Sequence, residues 1–133
     1  MENNKIMVCV TQQKLCKRLI HRAHNLKKHE EDELFVIHVV KENWKYFGQL
    51  KEADALEYLF DSAKEFGATL NVYKAKDIEG TLADFAEKQG VDVIVMGESL
   101  ETSMQQNMIN RLQERTKKQV MFEIVAHDYQ INE

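Results

Sequence analysis

The stretch VDVIVMGESLETSMQQNMINR, residues 91–111, is the most informative segment of this chain for predicting its fold. It opens with a nearly continuous apolar run over residues 91–96, which is typical of a parallel strand covered on both faces. Gly97 ends that run, and after a polar connection an apolar stripe with helical spacing follows at Met104, Met108, Ile109 and Leu112. A strand that ends in glycine and turns into a helix is where α/β proteins often hold phosphate, so the stretch also marks a candidate site.

Strand and helix patterns alternate along the rest of the chain. Apolar patterns predict strands at 5–10, 33–40, 69–74, 92–96 and 120–126. Helical spacing predicts helices at 14–28, 50–66, 79–89 and 103–116. Because such alternation with right-handed crossovers favours a parallel sheet, we predict a Rossmann-like α/β fold. The five strands should lie in the order 3-2-1-4-5, with helices on both faces.

Composition indicates one domain over residues 1–133, since 44% of the residues are hydrophobic and 30% are charged. The net charge of −4 argues against a nucleic-acid partner. No apolar run approaches the roughly 20 residues that span a bilayer, and the first residues lack the apolar core of a signal peptide. We therefore expect a cytoplasmic protein with no membrane partner.

Several side-chain positions follow from the same patterns. On the first helix, Leu19 and Ala23 belong to the inward stripe, whereas Arg18 lies off it. On the second helix, Phe60 is predicted to face inward. The acidic run at 30–33 is expected to be a solvated loop, and Gly67 and Gly90 are expected to end helices.

Cysteine and histidine side chains are the first candidates for nucleophilic or metal chemistry. Cys9 and Cys16 form neither a CxxC motif nor a disulfide framework, and neither is expected to be catalytic. His21 and His24 lack an acidic ligand at metal-binding spacing, and a solvated position is expected for both. No Ser/His/Asp or paired-carboxylate arrangement converges in the predicted fold, so we expect no metal site and no enzyme.

The switch point between strands 1 and 4 is the predicted ligand site, because ligands of such sheets bind beyond the C-terminal ends of the strands there. For His38, near the end of strand 2, a satisfied core position is the alternative to a place in the cleft. Thr102 and Ser103 offer donors but are expected to cap the last helix. The candidate residues of this cleft are Thr11, Gln12, His38, Gly97, Glu98, Ser99, Asn110 and Arg111.

The order and spacing of these segments resemble the universal stress protein family. The resemblance rests on KIMVCV at 5–10, FVIHVV at 35–40, AKEFGA at 63–68 and GVDVIVMG at 90–97. The stretch VMGESLETSMQQNMINRL is also similar to the stress-protein-like domain of the potassium-sensing histidine kinase KdpD. The resemblance implies an adenine nucleotide alpha hydrolase-like fold. It also implies a homodimer through the last strand, from Val120 to Ala126, which would otherwise be an open sheet edge.

The resemblance also locates a departure from the nucleotide-binding members, which carry Gly-x2-Gly-x9-Gly-Ser/Thr after strand 4. Only Gly97 matches, because Leu100, Asn110 and Arg111 stand at the other three positions. Thr11 stands where many ATP-binding members have an acidic residue. Bare backbone is what lets N–H groups approach phosphate, so a leucine side chain opposes the usual cradle.

These residues leave three functions open. The first is a stress-response or signalling module that lacks the usual ATP motif, holds no cofactor and acts through dimerisation. The alternative is a sensor that binds ATP, AMP or cyclic di-AMP at the switch point, with Ser99 as a donor and Arg111 as a cation. A weak nucleotide hydrolase is the least favoured of the readings.

Overall fold

The computed structural model describes residues 4–10, 16–41, 50–99 and 101–131, and the side chains of all of these except 41 and 50–55. Thr11, Gln12 and Leu100 therefore lie outside the described residues. The strands are β1 (Lys5–Val10), β2 (Glu33–Lys41), β3 (Thr69–Ala75), β4 (Val93–Gly97) and β5 (Met121–Val125). The helices are α1 (Cys16–Asn25), α2 (Leu50–Glu65), α3 (Ile78–Gln89) and α4 (Thr102–Arg115).

The five strands form one parallel sheet in the order β3-β2-β1-β4-β5, which confirms the predicted topology of a single α/β domain. β1 is central, and Val8 aligns with Val36 of β2 and Val95 of β4. The chain reverses its direction of winding between β1 and β4. The C-terminal ends of these two strands are therefore where a crevice forms.

Two apolar cores lie on the two faces of the sheet, because successive side chains of a strand point to opposite faces. Ile6 and Val8 pack with α1 and α2 residues, whereas Met7 and Cys9 pack with α3 and α4 residues. This is why β1 is apolar throughout rather than alternating. A fully buried aliphatic side chain contributes roughly 1.5–3 kcal/mol, so the central strand is a principal source of stability.

Glycines end two helices as predicted, and both adopt the left-handed conformation. Gly67 follows α2 with φ 69°, and Gly90 follows α3 with φ 67°. The N–H of Ala68 donates to the carbonyl of Ala63 at 2.8 Å, and the N–H of Phe66 donates to the same carbonyl at 3.2 Å, which closes the end of α2. At the other end of α3, the Asp77 carboxylate accepts from the N–H of Gly80 at 3.0 Å.

The inward stripe of α2 differs from the prediction. Phe60 is 54% exposed, whereas its neighbour Leu59 is fully buried together with Ala63. Both residues are large and apolar, so the apolar pattern does not determine which of the two faces the core. Packing against α1 and β3 selects Leu59.

The acidic run before β2 differs from the prediction of a solvated loop. Asp32 is buried, and its carboxylate accepts hydrogen bonds from the backbone N–H groups of Asn4, Lys28 and His29. The bond from Lys28, followed by those from Asn4 and His29, lowers the pKa of Asp32. The carboxylate thus ties the end of the α1 segment to the residue that precedes β1.

Candidate functional site

The loop that follows β4 is closed by the side chain of Gln105. Its Nε2 donates to the carbonyl oxygen of Gly97 at 2.8 Å, and its Oε1 accepts from the N–H of Ser99 at 3.1 Å. The hydroxyl of Ser99 accepts from the N–H of Glu101 at 3.1 Å. The N–H groups of Ser99 and Glu101 are the kind of donors that a phosphate loop would present, and side chains of the chain itself satisfy them.

The predicted helix caps are wrong, because Thr102 and Ser103 lie inside the first turn of α4 with exposed side chains. The N-cap position is Glu101, whose side chain makes no capping bond. The polar residues that organise this helix start are Ser99, before it, and Gln105, one turn into it. A glutamine inside a helix carries no capping signal, which is why the sequence pattern did not reveal its role.

The carboxylate of Glu98 is engaged with the segment that follows β5. Its Oε1 accepts from the N–H of His127 at 3.0 Å, and its backbone N–H donates to the carbonyl of Val125 at 2.8 Å. Glu98 therefore does lie at the C-terminal end of β4, as predicted. Its negative charge is held beside the turn after β5.

Arg18 supplies a cation at the switch point that the sequence pattern had placed away from the packed side of its helix. A Cβ atom built on Gly97 would lie 3.8 Å from Arg18 Nη2 and 3.6 Å from Leu19 Cδ2. Nη1 donates to the carbonyl oxygen of Ala126. Nε is buried and has no hydrogen-bond partner among the described residues. The position of Arg18 in the sequence could have indicated this place, since the first turn of a helix that follows a central strand lies at the ligand-binding edge of the sheet.

Arg111 and Asn110, two of the predicted site residues, are held by other partners. Arg111 donates to both carboxylate oxygens of Glu79, at 2.8 and 2.6 Å, which joins α4 to the first turn of α3. These bonds lower the pKa of Glu79 and raise that of Arg111. Asn110 Oδ1 accepts from Gln106 on the same helix at 3.0 Å. With a rise of about 1.5 Å per residue, both lie about 12 Å or more along α4 from Thr102.

His38 is a buried residue of β2, beside the end of the central strand β1. Its Nδ1 lies 2.8 Å from the carbonyl oxygen of Val10, the residue with which it aligns in the sheet. Because a carbonyl oxygen only accepts, Nδ1 carries the proton. His38 thus lies beneath the C-terminal end of β1. Thr11 and Gln12, which follow Val10, lie outside the described residues.

The chain after β5 packs back on α1 through Tyr129. The Tyr129 hydroxyl lies 2.8 Å from His21 Nδ1 and accepts from Asn25 Nδ2 at 3.4 Å. The ring of Phe66 contacts His21 edge to face, with ring centres 5.6 Å apart. His21, expected on or near the solvated face, is thus half-buried by these contacts, whereas His24 is exposed. A contact between residues 108 positions apart in sequence leaves no local pattern.

Both cysteines are buried and unpaired. Burial raises the pKa of the Cys9 thiol to about 12, and it also raises that of Cys16, against the opposing hydrogen bond from the Ser62 side chain. Within the described ranges no group of His, Cys, Asp and Glu side chains is arranged to hold a metal ion. No described helix is long and apolar enough to cross a lipid bilayer.

A five-stranded parallel sheet in the order β3-β2-β1-β4-β5, with Arg18 of α1 beside Gly97 at the end of β4, defines a Rossmann-like α/β protein. The chain belongs to the universal stress protein family, whose model matches residues 2–116. No curated protein sequence matches this chain.

Solved structures share the fold over nearly the whole chain. The chain is similar to the hypothetical protein MJ0577, with TM-score 0.67, 16% identity, and coverage of 98% of this chain and 100% of that one. It is similar to a universal stress protein in complex with cAMP, with TM-score 0.62, 19% identity, and coverage of 95% and 98%. A universal stress protein from Archaeoglobus fulgidus in complex with dAMP gives TM-score 0.60, 15% identity, and coverage of 95% and 98%. At such identities the likeness shows the fold alone.

Proposed function

We propose that this member of the universal stress protein family is a stress-response or signalling module that acts through homodimerisation, without the ATP-binding motif of its nucleotide-binding relatives. The observation that carries the proposal is the closure of the loop after β4 by Gln105, which bonds both Gly97 and Ser99. An internal partner on these groups opposes a phosphate contact. Arg111, the replacement at the hydroxyl position of the motif, is engaged with Glu79.

The edge strand β5 supports the dimerisation part of the proposal. Among the described residues it pairs with β4 and with no other strand, so one side of its backbone has no partner strand. Met121 and Ile124 on this strand are 58% and 36% exposed. An open edge with exposed apolar side chains is suited to pairing with the same strand of a second copy.

Light scattering on matched edge variants tests dimerisation. The wild-type chain should have twice the monomer mass of 15.6 kDa at micromolar concentration. Ile124→Lys should give monomers, whereas Val72→Lys should not, since Val72 is equally exposed, at 37%, but lies on β3 at the opposite edge. A wild-type monomer, or equal effects of the two substitutions, would contradict this part of the proposal.

A nucleotide titration tests the other part. A ligand that binds only the folded chain at 100 times its Kd stabilises it by about 2.7 kcal/mol. We expect no change in melting temperature with ATP, AMP or cyclic di-AMP at millimolar concentration, and no nucleotide hydrolysis. A clear shift with any of the three would overturn the proposal in favour of a sensor.

The sensor is the second candidate, and Arg18 is the observation that favours it. Its guanidinium lies beside Gly97, and its buried Nε has no partner in the described part of the chain. Two similar structures, the cAMP and dAMP complexes, hold nucleotides. The resemblance of residues 95–112 to the stress-protein-like domain of KdpD, which rests on the sequence alone, favours a signalling input. If this candidate is right, Arg18→Gln should abolish the thermal shift. Arg22→Gln should leave it, because Arg22 is engaged with Glu123 one turn further along α1.

A further inference from the structure

We infer that Gln105 is the specificity-determining residue of the switch-point loop, and that its side-chain amide excludes phosphate-bearing ligands from a site that Ser99 and Arg18 would otherwise offer. This inference rests on the proposed function and names the group responsible for it. Removal of the Gln105 amide should therefore create an affinity for phosphate that the wild-type chain lacks.

The side chain of Gln105 bonds two backbone groups of the loop at once. One carboxamide donates to the carbonyl of Gly97 and accepts from the N–H of Ser99, as a peptide group of a neighbouring strand would do. Gln105 thus continues the hydrogen bonding of β4 past its last residue. The N–H of Ser99, which an anion at this loop would require, is already satisfied.

Phosphate is a poor substitute for this amide. A phosphate oxygen can accept from the N–H of Ser99, but the doubly ionised phosphate of AMP has no hydrogen to donate to the carbonyl of Gly97. Entry of the ligand would remove the present donor of that partly buried carbonyl, and the loss of this internal hydrogen bond costs free energy. Because Gln105 satisfies both the N–H of Ser99 and the carbonyl of Gly97, it favours the closed loop over the phosphate-bound loop.

The guanidinium of Arg18 lies beside the loop. Arg18 Nη2 lies 3.8 Å from the position of a Cβ atom on Gly97, and Nε is buried without a hydrogen-bond partner in the part of the chain described. A guanidinium with an unused donor is suited to a phosphate oxygen. The carboxylate of Glu98, which would repel an anion, is held by the N–H of His127.

Isothermal titration with inorganic phosphate and with AMP tests the inference on the full chain. Gln105→Ala should bind AMP with a Kd at least tenfold below the highest AMP concentration at which the wild type shows no binding. Gln106→Ala is the matched control, since Gln106 is the next residue of α4 and its amide donates to Asn110 on the same helix. It should leave AMP affinity unchanged. Adding Arg18→Gln to Gln105→Ala should remove the gain.

A second variant guards against a local loss of structure. Gln105→Glu keeps an acceptor for Ser99 but loses the donor to Gly97 and adds a negative charge, so it should show no gain for phosphate. Melting temperatures of both variants within a few degrees of the wild type establish that the fold is intact. If Gln105→Ala unfolds the chain, Gln105→Ser should show the gain instead.

The outcomes separate this inference from the proposed function. A wild type that binds no AMP, together with a folded Gln105→Ala that also binds none, overturns the inference and leaves the proposed function standing. A wild type that binds AMP, together with a variant that binds more tightly, supports the inference and overturns the proposed function. A variant that binds more weakly than a binding wild type makes Gln105 a ligand contact and overturns both.

Discussion

Arg111 and Glu79 are joined by two hydrogen bonds, from Nε to Oε2 at 2.8 Å and from Nη2 to Oε1 at 2.6 Å. The pair fixes the middle of α4 to the first turn of α3. Paired arginine and carboxylate geometry of this kind is the strongest form of surface ion pair. The positive charge of Arg111, which the sequence pattern made available to a phosphate, is thereby placed in the contact between two helices.

Arg111→Ala should lower the free energy of unfolding by about 1 kcal/mol or less, because exposed ion pairs contribute little. Arg115→Ala should cost less still, since Arg115 makes a single, longer contact of 3.6 Å with Asp77. Urea unfolding at pH 7 measures both effects. A double-mutant cycle with Glu79→Gln should show a coupling energy for the first pair, and its absence would contradict the assignment.

The same pair gives a pH dependence of defined sign. Arg111 lowers the pKa of Glu79 in the folded chain, so the unfolded chain binds the proton more readily. The contribution is fully present above the unfolded carboxyl pKa of roughly 4.3 and is lost as the pH falls through the lower folded value. The difference in stability between wild type and Arg111→Ala should therefore shrink between pH 7 and about pH 3. A difference that is equal at both values would contradict this.

Two glycine substitutions should have opposite results. Gly67→Ala should destabilise the chain by roughly 1–2 kcal/mol, because its φ of 69° is unfavourable for a residue with a Cβ, although space is available. Gly97→Ala should be neutral or stabilise the chain by up to about 1 kcal/mol. Gly97 has no positive φ, and the new Cβ would meet Leu19 at an ordinary 3.6 Å. Urea denaturation of both variants measures the difference.

The thiols should be unreactive in the folded chain. Cys9 has a pKa of about 12 through burial, and burial also raises that of Cys16, so little thiolate forms at pH 8. Labelling with a disulfide reagent should reach two equivalents only after denaturation. Rapid labelling of one equivalent in the native chain would show that a cysteine is accessible.

Tyr129→Phe should loosen the chain after β5. The substitution removes the hydroxyl that contacts His21 and Asn25, at a cost of about 0.5–1.5 kcal/mol. Hydrogen exchange of the amides at 127–131 should accelerate, while exchange in β1 should not. Tyr58→Phe is the control, because Tyr58 is an exposed residue of α2. Equal effects of the two substitutions would contradict a specific role of Tyr129.

The topology could be predicted because the information is local. A buried parallel strand is apolar along its length, and each predicted element is found within three residues of its expected ends. The rotation of α2 could not be predicted in the same way, since Leu59 and Phe60 are both large and apolar. Three of the candidate residues, Gly97, Glu98 and Ser99, lie at the C-terminal end of β4, where the strand pattern places them, and their role in binding stays a prediction. Their contacts were not predicted.

Periodicity and residue identity are enough to specify the strands and helices, and to show the departure of Leu100, Asn110 and Arg111 from the nucleotide-binding pattern. The alternation of these elements favours the observed strand order. The groups that occupy the loop after β4 are known from the folded chain alone: Gln105 closes the loop from within, and Arg18 borders it from α1. The physical reason is that a hydrogen bond depends on where two atoms meet in space. Glutamine and arginine are common on exposed helix faces, so nothing in their local sequence distinguishes these two from solvated side chains.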